Sequence, residues 1–147
     1  KDFFTDNDIV YQESRINDHA VFSAEQVTLY QGDIFTLPSQ LTSSISGFYD
    51  RAALIAWPEE MRQQYVHTLA ALVPADVSGL LITLDYPQET LKGPPFAVSP
   101  TWIETYLTAY FTVELLECAD VLADNSRFVY KQVPWLNEAV YKLTRKS

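Results

Sequence analysis

Three stretches with strand character in the 147-residue chain run into a carboxylate: VTLYQGD ends at Asp33, ISGFYD at Asp50 and LLITLD at Asp85. If the three strands are parallel, these carboxylates share the carboxyl edge of one sheet, where open α/β sheets bind their ligands. The competing role for each is local, because an aspartate just past a strand also caps the following turn or helix. Other chemistries are excluded more firmly. The four glycines, Gly32, Gly47, Gly79 and Gly93, lie far apart. No GxGxxG or GxxxxGK[ST] loop can be drawn through them, so no phosphate-cradling loop is present. His19, His67 and Cys118 make no zinc ligand set, and no metal site is expected. There is no G-x-S-x-G elbow for a serine hydrolase. Cys118 has no histidine near it in sequence and reads as a small buried hydrophobe. Trp57, Trp102 and Trp135 read as core or rim aromatics.

The elements that must position such groups alternate along the chain. Phe3, Phe4 and Ile9 suggest the end of a short helix, and residues 12–26 show no sustained period and read as a connecting loop. VTLYQ (27–31) is a strand closed by Gly32-Asp33, and ISGFYD (45–50) is a weaker one. Pro58 suits a first helical turn, Glu59 and Glu60 complement the helix dipole, and Pro74 ends the helix. Between them Met61, Tyr65, Leu69 and Leu72 form an apolar stripe, with His67 on its rim. The nearly unbroken apolar run of GLLITLDY (79–86) predicts a parallel strand buried on both faces. Residues 87–98, with three of the eight prolines, form an irregular loop. Ser99 caps a helix with Pro100 in its first turn, and VELLE (113–117) is a further strand. CADVLADNSRF reads as a loop, and EAVYKL (138–143) alternates as the last strand. Strands alternating with helices, with no repeat and no second core, make a single α/β domain over 1–147.

Composition bounds the partners. With 10 Lys+Arg against 19 Asp+Glu the net charge is −9, which disfavours phosphate backbones and anionic membrane surfaces. No apolar run approaches the ~20 residues of a membrane span. A lone cysteine leaves no internal disulfide, so a cytoplasmic setting is expected.

Two segments go further. YDRAALIAWPEEMRQQYVHTLAALVP (49–74) and GLLITLDYPQETLKGPPFAVS (79–99) closely resemble the thiopurine S-methyltransferase family in its bacterial branch. The shared order is a strand ending in Asp-Arg, a small-residue turn, a Pro-Glu-Glu helix, a buried strand, a Tyr-Pro loop and a Gly-Pro-Pro-Phe element. YQGDIFTL (30–37), VLADNSRF and EAVYKL resemble the flanking family segments, so the likeness runs along essentially the whole chain. It implies a class I S-adenosylmethionine-dependent methyltransferase, with a Rossmann-like sheet and helices on both faces. The family's Leu-Cys-Gly-Lys-type cofactor loop and its ribose-binding Glu have no counterpart here. KDFFTDNDI resembles the end of the helix following that Glu, so the domain is expected to be incomplete at its N-terminus.

By this resemblance Asp33 and Ile34 match the segment that contacts the cofactor adenine. Arg51 matches the cofactor-contacting arginine at the boundary with the acceptor pocket, and it could otherwise form a surface ion pair with Asp50. Phe96 walls the acceptor pocket or anchors its loop on the core. The implied acceptor is a small aromatic or heterocyclic thiol, handled by a monomer, with no catalytic residue identified. Two alternatives stay open. One is a methyltransferase for an inorganic selenium or tellurium species or a small thiol; the related halide and thiol methyltransferases share the buried strand and the Gly-Pro-Pro-aromatic loop but lack the Asp-Arg turn. The other is a non-catalytic α/β binding module.

Overall fold

A computed structural model describes residues 1–147 and divides them into two compact units, 1–38 and 39–147. In the first, helix α1 (Asp2–Asp6) precedes an antiparallel sheet of β1 (Gln12–Ile16), β2 (His19–Ser23) and β3 (Thr28–Gln31), in the order β1-β2-β3. The loop expected over 12–26 is therefore mostly a hairpin. Ile16 pairs with His19 across a two-residue turn, in which Asn17 takes a left-handed φ of 52°. Asparagine tolerates that conformation well, so Asn17-Asp18 was a turn signal between two short strands. Only β2 is largely buried; β1 and β3 are exposed, and the period is lost because little of it faces a core. Phe4 is wholly buried and stacks on Tyr11, with ring centroids 4.9 Å apart.

The second unit is built on a four-stranded sheet ordered β4-β5-β7-β6. Its strands are β4 (Phe48–Arg51), β5 (Ser78–Asp85), β6 (Phe111–Asp120) and β7 (Asn137–Arg145). β4 and β5 run parallel, while β7 is antiparallel to both β5 and β6. The three strand-end carboxylates therefore do not share one edge. β3 belongs to the other, antiparallel sheet, and only β4 and β5 run side by side.

Helix α2 (Glu59–Leu72) links β4 to β5. It buries Arg62, Tyr65, Val66, Leu69, Ala70 and Leu72, whereas Met61 is 38% exposed. The stripe runs one residue later at its start than the apolar spacing suggested. Helix α3 (Pro100–Leu107) begins as expected, with the Ser99 hydroxyl accepting from the Trp102 N–H at 3.1 Å. Residues 118–120 extend β6, and Ser126–Tyr130 form a short helix, α4, in place of the single loop expected there.

β5 is not buried on both faces. Leu81 and Thr83 are sealed in the core, at 0% and 1% exposed, but Leu80 is 38% exposed and Ile82 and Leu84 are half-buried. An unbroken apolar run misled because the second face is walled by a cleft rather than by packing. The core joins Leu54, Val66, Leu81, Ile103, Leu107, Phe111 and Leu143. A second cluster gathers Tyr86, Leu91, Phe128, Val133 and Leu136.

Candidate functional site

Arg51 is the last residue of β4, where the chain leaves the sheet through a tight turn. Ala52 adopts φ 67°, a left-handed conformation that costs a non-glycine residue about 1–2 kcal/mol. The turn is braced from below. Asp50, only 4% exposed, accepts from the Leu54 N–H at 3.2 Å and from the Tyr65 hydroxyl. Burial first, and then the negative charge of Asp50, push the Tyr65 hydroxyl well above the ordinary phenol range. Asp50 is therefore a structural anchor and not a ligand carboxylate.

That arrangement also decides the character of Arg51. With Asp50 committed below, the guanidinium forms no ion pair with it; the one ion pair of the chain joins Lys1 and Glu13. Arg51 is exposed and lines a cleft of about 400 Å³ within the second unit. The walls are apolar: Ile55 from the turn, Ile82 and Leu84 from the open face of β5, and Pro94 and Pro95 from the following loop. Asn125 and Glu138 add polar groups. Neither was singled out from sequence, although Glu138 was legible. The alternation of β7 sets it opposite Leu84 and on the face away from Ala139 and Tyr141. Asp85 does not line this cleft; burial raises its carboxyl above the usual range, against a partly offsetting Tyr86 N–H.

The loop that supplies Pro94 and Pro95 is held at nearly every peptide. Arg127 Nη1 donates to the Pro94 carbonyl at 3.1 Å, and the Tyr86 hydroxyl donates to that of Pro95. The Phe96 N–H donates to the Ile55 carbonyl at 2.7 Å, and the Ala97 N–H to Gln88 Oε1 at 2.8 Å. Arg62 Nη1 donates to the Ala97 carbonyl at 3.0 Å. Arg62 is 4% exposed and its guanidinium sits 4.5 Å above the Trp102 ring; burial lowers its pKa. The helical spacing of Arg62 with Tyr65, Val66 and Leu69 was the signal for its burial. Phe96 does not join the Arg51 cleft. It lines a second one of about 540 Å³, together with Arg62, Gln88 and Lys92.

In the first unit, Asp33 caps a 3₁₀ turn over Ile34–Thr36, and its Oδ1 accepts from the Phe35 N–H at 2.9 Å. Asp33 is exposed and Ile34 half-buried. The Ile34 N–H opens the turn and has no acceptor within it. His67 is exposed, as expected, with Nδ1 3.2 Å from the Tyr110 hydroxyl, whereas Cys118 is exposed on β6 rather than buried. No group of three or more His, Cys, Asp or Glu side chains could hold a metal ion. No helix is long and apolar enough to cross a membrane.

Comparison with known proteins places this geometry in a lineage. A thiopurine S-methyltransferase of Shewanella frigidimarina is 79% identical over 145 residues, covering 99% of this chain and 66% of its own. One from Shewanella sp. (strain ANA-3) is 63% identical over 144 residues, again covering 66% of its length. The chain thus spans just under two thirds of the curated relatives it matches. Among solved structures, one described for conversion of a disulfide bond into a thioacetal group during echinomycin biosynthesis superposes with a TM-score of 0.52. It is 8% identical and is matched over 78% of this chain and 55% of its own, a likeness of fold alone. The mixed sheet with its helices is that of the class I methyltransferase fold expected from the sequence. The sequence matches the family described as thiopurine S-methyltransferase (TPMT) over residues 1–146, and the chain belongs to that family.

Proposed function

We propose that the chain supplies the acceptor side of an S-adenosylmethionine-dependent S-methyltransferase acting on thiopurines or other aromatic and heterocyclic thiols. The observation that carries this reading is the Arg51 guanidinium, exposed and without an ion pair at the rim of an apolar cleft of about 400 Å³. A flat heterocycle suits walls of isoleucine, leucine and proline, with a few polar groups to fix its orientation. A small inorganic selenium or tellurium anion would leave most of those walls uncovered.

The Asp33 segment fits an adenine. One carboxylate oxygen is committed to the Phe35 N–H, which fixes the group, and the other is left to accept the exocyclic amine. The Ile34 N–H can serve a ring nitrogen. When bound, S-adenosylmethionine would supply an electrophilic methyl group for in-line transfer to an acceptor sulfur, with S-adenosylhomocysteine as the leaving group. The chain's own residues do the positioning. Arg51 presents a rigid fork of donors that holds a thiolate or a ring nitrogen in one orientation. By family likeness it also reaches the cofactor. Ile55, Ile82 and Leu84 exclude water, and the loop held by Arg62, Tyr86 and Arg127 keeps Pro94 and Pro95 rigid, so little is left to organise at the moment of transfer. Phe96 anchors that loop. A heteroaromatic thiol ionises readily, so no dedicated base is required. The −9 chain repels an anionic acceptor, and Arg51 is the local exception.

The test is methyl transfer to a mercaptopurine by the full-length protein. Arg51→Ala should lower kcat/KM about ten- to a hundred-fold, the loss of one charge-assisted hydrogen bond, with the melting temperature unchanged. Arg51→Lys keeps the charge but not the fork and should fall between. A lowered melting temperature with kcat/KM intact would make Arg51 structural and remove the reading.

A further inference from the structure

His19, the first residue of β2, has no part in the reaction described above. It is 2% exposed, and its Nε2 lies 2.8 Å from the carbonyl oxygen of Asp33. A carbonyl only accepts, so Nε2 carries a proton and donates it, and in the neutral ring Nδ1 is then a bare lone pair. That Nδ1 is buried without a partner. The imidazole therefore gives its one N–H to the Asp33 carbonyl and gains nothing on its other side. A buried orphan of this kind is tolerated where the bond that is made matters.

Two further observations point the same way. A Cβ on Gly32 would stand 2.4 Å from Cδ2 of the His19 ring, so only glycine leaves the ring its place. The β2–β3 ladder ends at the pair Ala20–Gln31, one step before His19 and Gly32 would meet. Past that point no ladder bond holds the chain, and the Asp33 carbonyl is held from two sides: by His19 Nε2 at 2.8 Å and, across the following turn, by the Thr36 N–H and hydroxyl, each at 3.1 Å.

We infer that His19 is a positioning residue for adenine recognition: through the Asp33 carbonyl it fixes the Asp33–Ile34 peptide, so that the Asp33 carboxylate and the Ile34 N–H hold the arrangement an adenine requires. The inference rests on the proposed role of Asp33 and Ile34. The experiment measures dissociation constants of the full-length protein for S-adenosylhomocysteine and for its inosine counterpart, in which a carbonyl replaces the exocyclic amine. The unsubstituted protein should bind the inosine compound about tenfold or more weakly, because the Asp33 carboxylate then faces an acceptor. His19→Phe keeps a buried ring without the N–H, and Gly32→Ala keeps the imidazole but displaces it. Both should collapse the ratio of the two constants toward one. His19→Gln, whose amide can reach the same carbonyl, should retain most of it, and the KM for the thiol should not move in any of the three. An unsubstituted ratio near one would remove the adenine reading and this inference together. A large ratio that survives both His19→Phe and Gly32→Ala, even with both ligands weakened equally, would overturn the role of His19 alone.

Discussion

Tyr65→Phe tests whether the Asp50 anchor, and with it the position of Arg51, works as the geometry requires. The substitution deletes one hydroxyl and leaves the ring, so the packing of α2 is preserved. It also leaves the buried Asp50 carboxylate, 4% exposed, with only the Leu54 N–H at 3.2 Å. Losing a hydrogen bond to a buried charge costs about 1.5–3 kcal/mol. At about 2–4 °C per kcal/mol for a protein of this size, the melting temperature should fall by roughly 3–12 °C. The decisive measurement is a double-mutant cycle with Asp50→Ala, by urea unfolding of the full-length protein. Once the carboxylate is gone, Tyr65→Phe should cost little, giving a coupling of about 1–3 kcal/mol. The pH dependence supplies a second arm. The Tyr65 hydroxyl ionises at higher pH in the folded protein than the phenol pKa of about 10 it has when unfolded. Its contribution is therefore complete below about pH 10 and is lost above it, as the unfolded state releases its proton first. The unsubstituted and Tyr65→Phe proteins should converge in stability as the pH rises past 10. Additive costs, within about 0.5 kcal/mol, would show that the two side chains do not share a bond and would refute the anchor.

Two further outcomes follow from burial. Leu81→Ala should cost about 2–5 kcal/mol by denaturant unfolding, whereas Leu80→Ala, one residue earlier on the open face of β5, should cost under about 1 kcal/mol; equal effects would mean that both faces are packed. Cys118 should react with a thiol reagent in the native state, and Cys118→Ser should keep most methyl-transfer activity, because the thiol is exposed and outside the Arg51 cleft; a loss beyond about tenfold would expose a missed role.

What the sequence disclosed, and what it hid, follows from how each signal arises. The Pro58–Pro74 helix, the Ser99 cap and the alternation of β7 are local patterns, and each formed as expected. Strand direction is not local. VTLYQ is a strand, but its partner is β2, an antiparallel neighbour from a stretch with no visible period. That pairing sets Asp33 after a strand of a different sheet from the one that carries Asp50 and Asp85. Burial of β5 was overstated because Ile82 and Leu84 are apolar for a different reason: they wall a cleft. Arg51 emerged through the Asp-Arg turn of a family pattern. Nothing in spacing alone could say that Asp50 would turn inward and leave Arg51 unpaired.

That division of labour between adjacent residues explains the turn itself. A left-handed alanine is an expense that glycine would avoid, yet Ala52 holds φ 67° directly after Arg51. Such a conformation persists only where its surroundings over-determine it. Here the Asp50 side chain reaches over Ala52 and Ala53 to the Leu54 N–H, and Tyr65 of α2 holds the other carboxylate oxygen. The two ends of the turn are thus tied to each other and to the helix. A glycine at position 52 would relieve the strain but would also widen the set of conformations open to the turn, and the direction of Arg51 would widen with it. Alanine keeps the backbone restricted and is still small enough to line the cleft beside the guanidinium. The strain and the anchor serve one end: they fix where β4 stops and where its last side chain points.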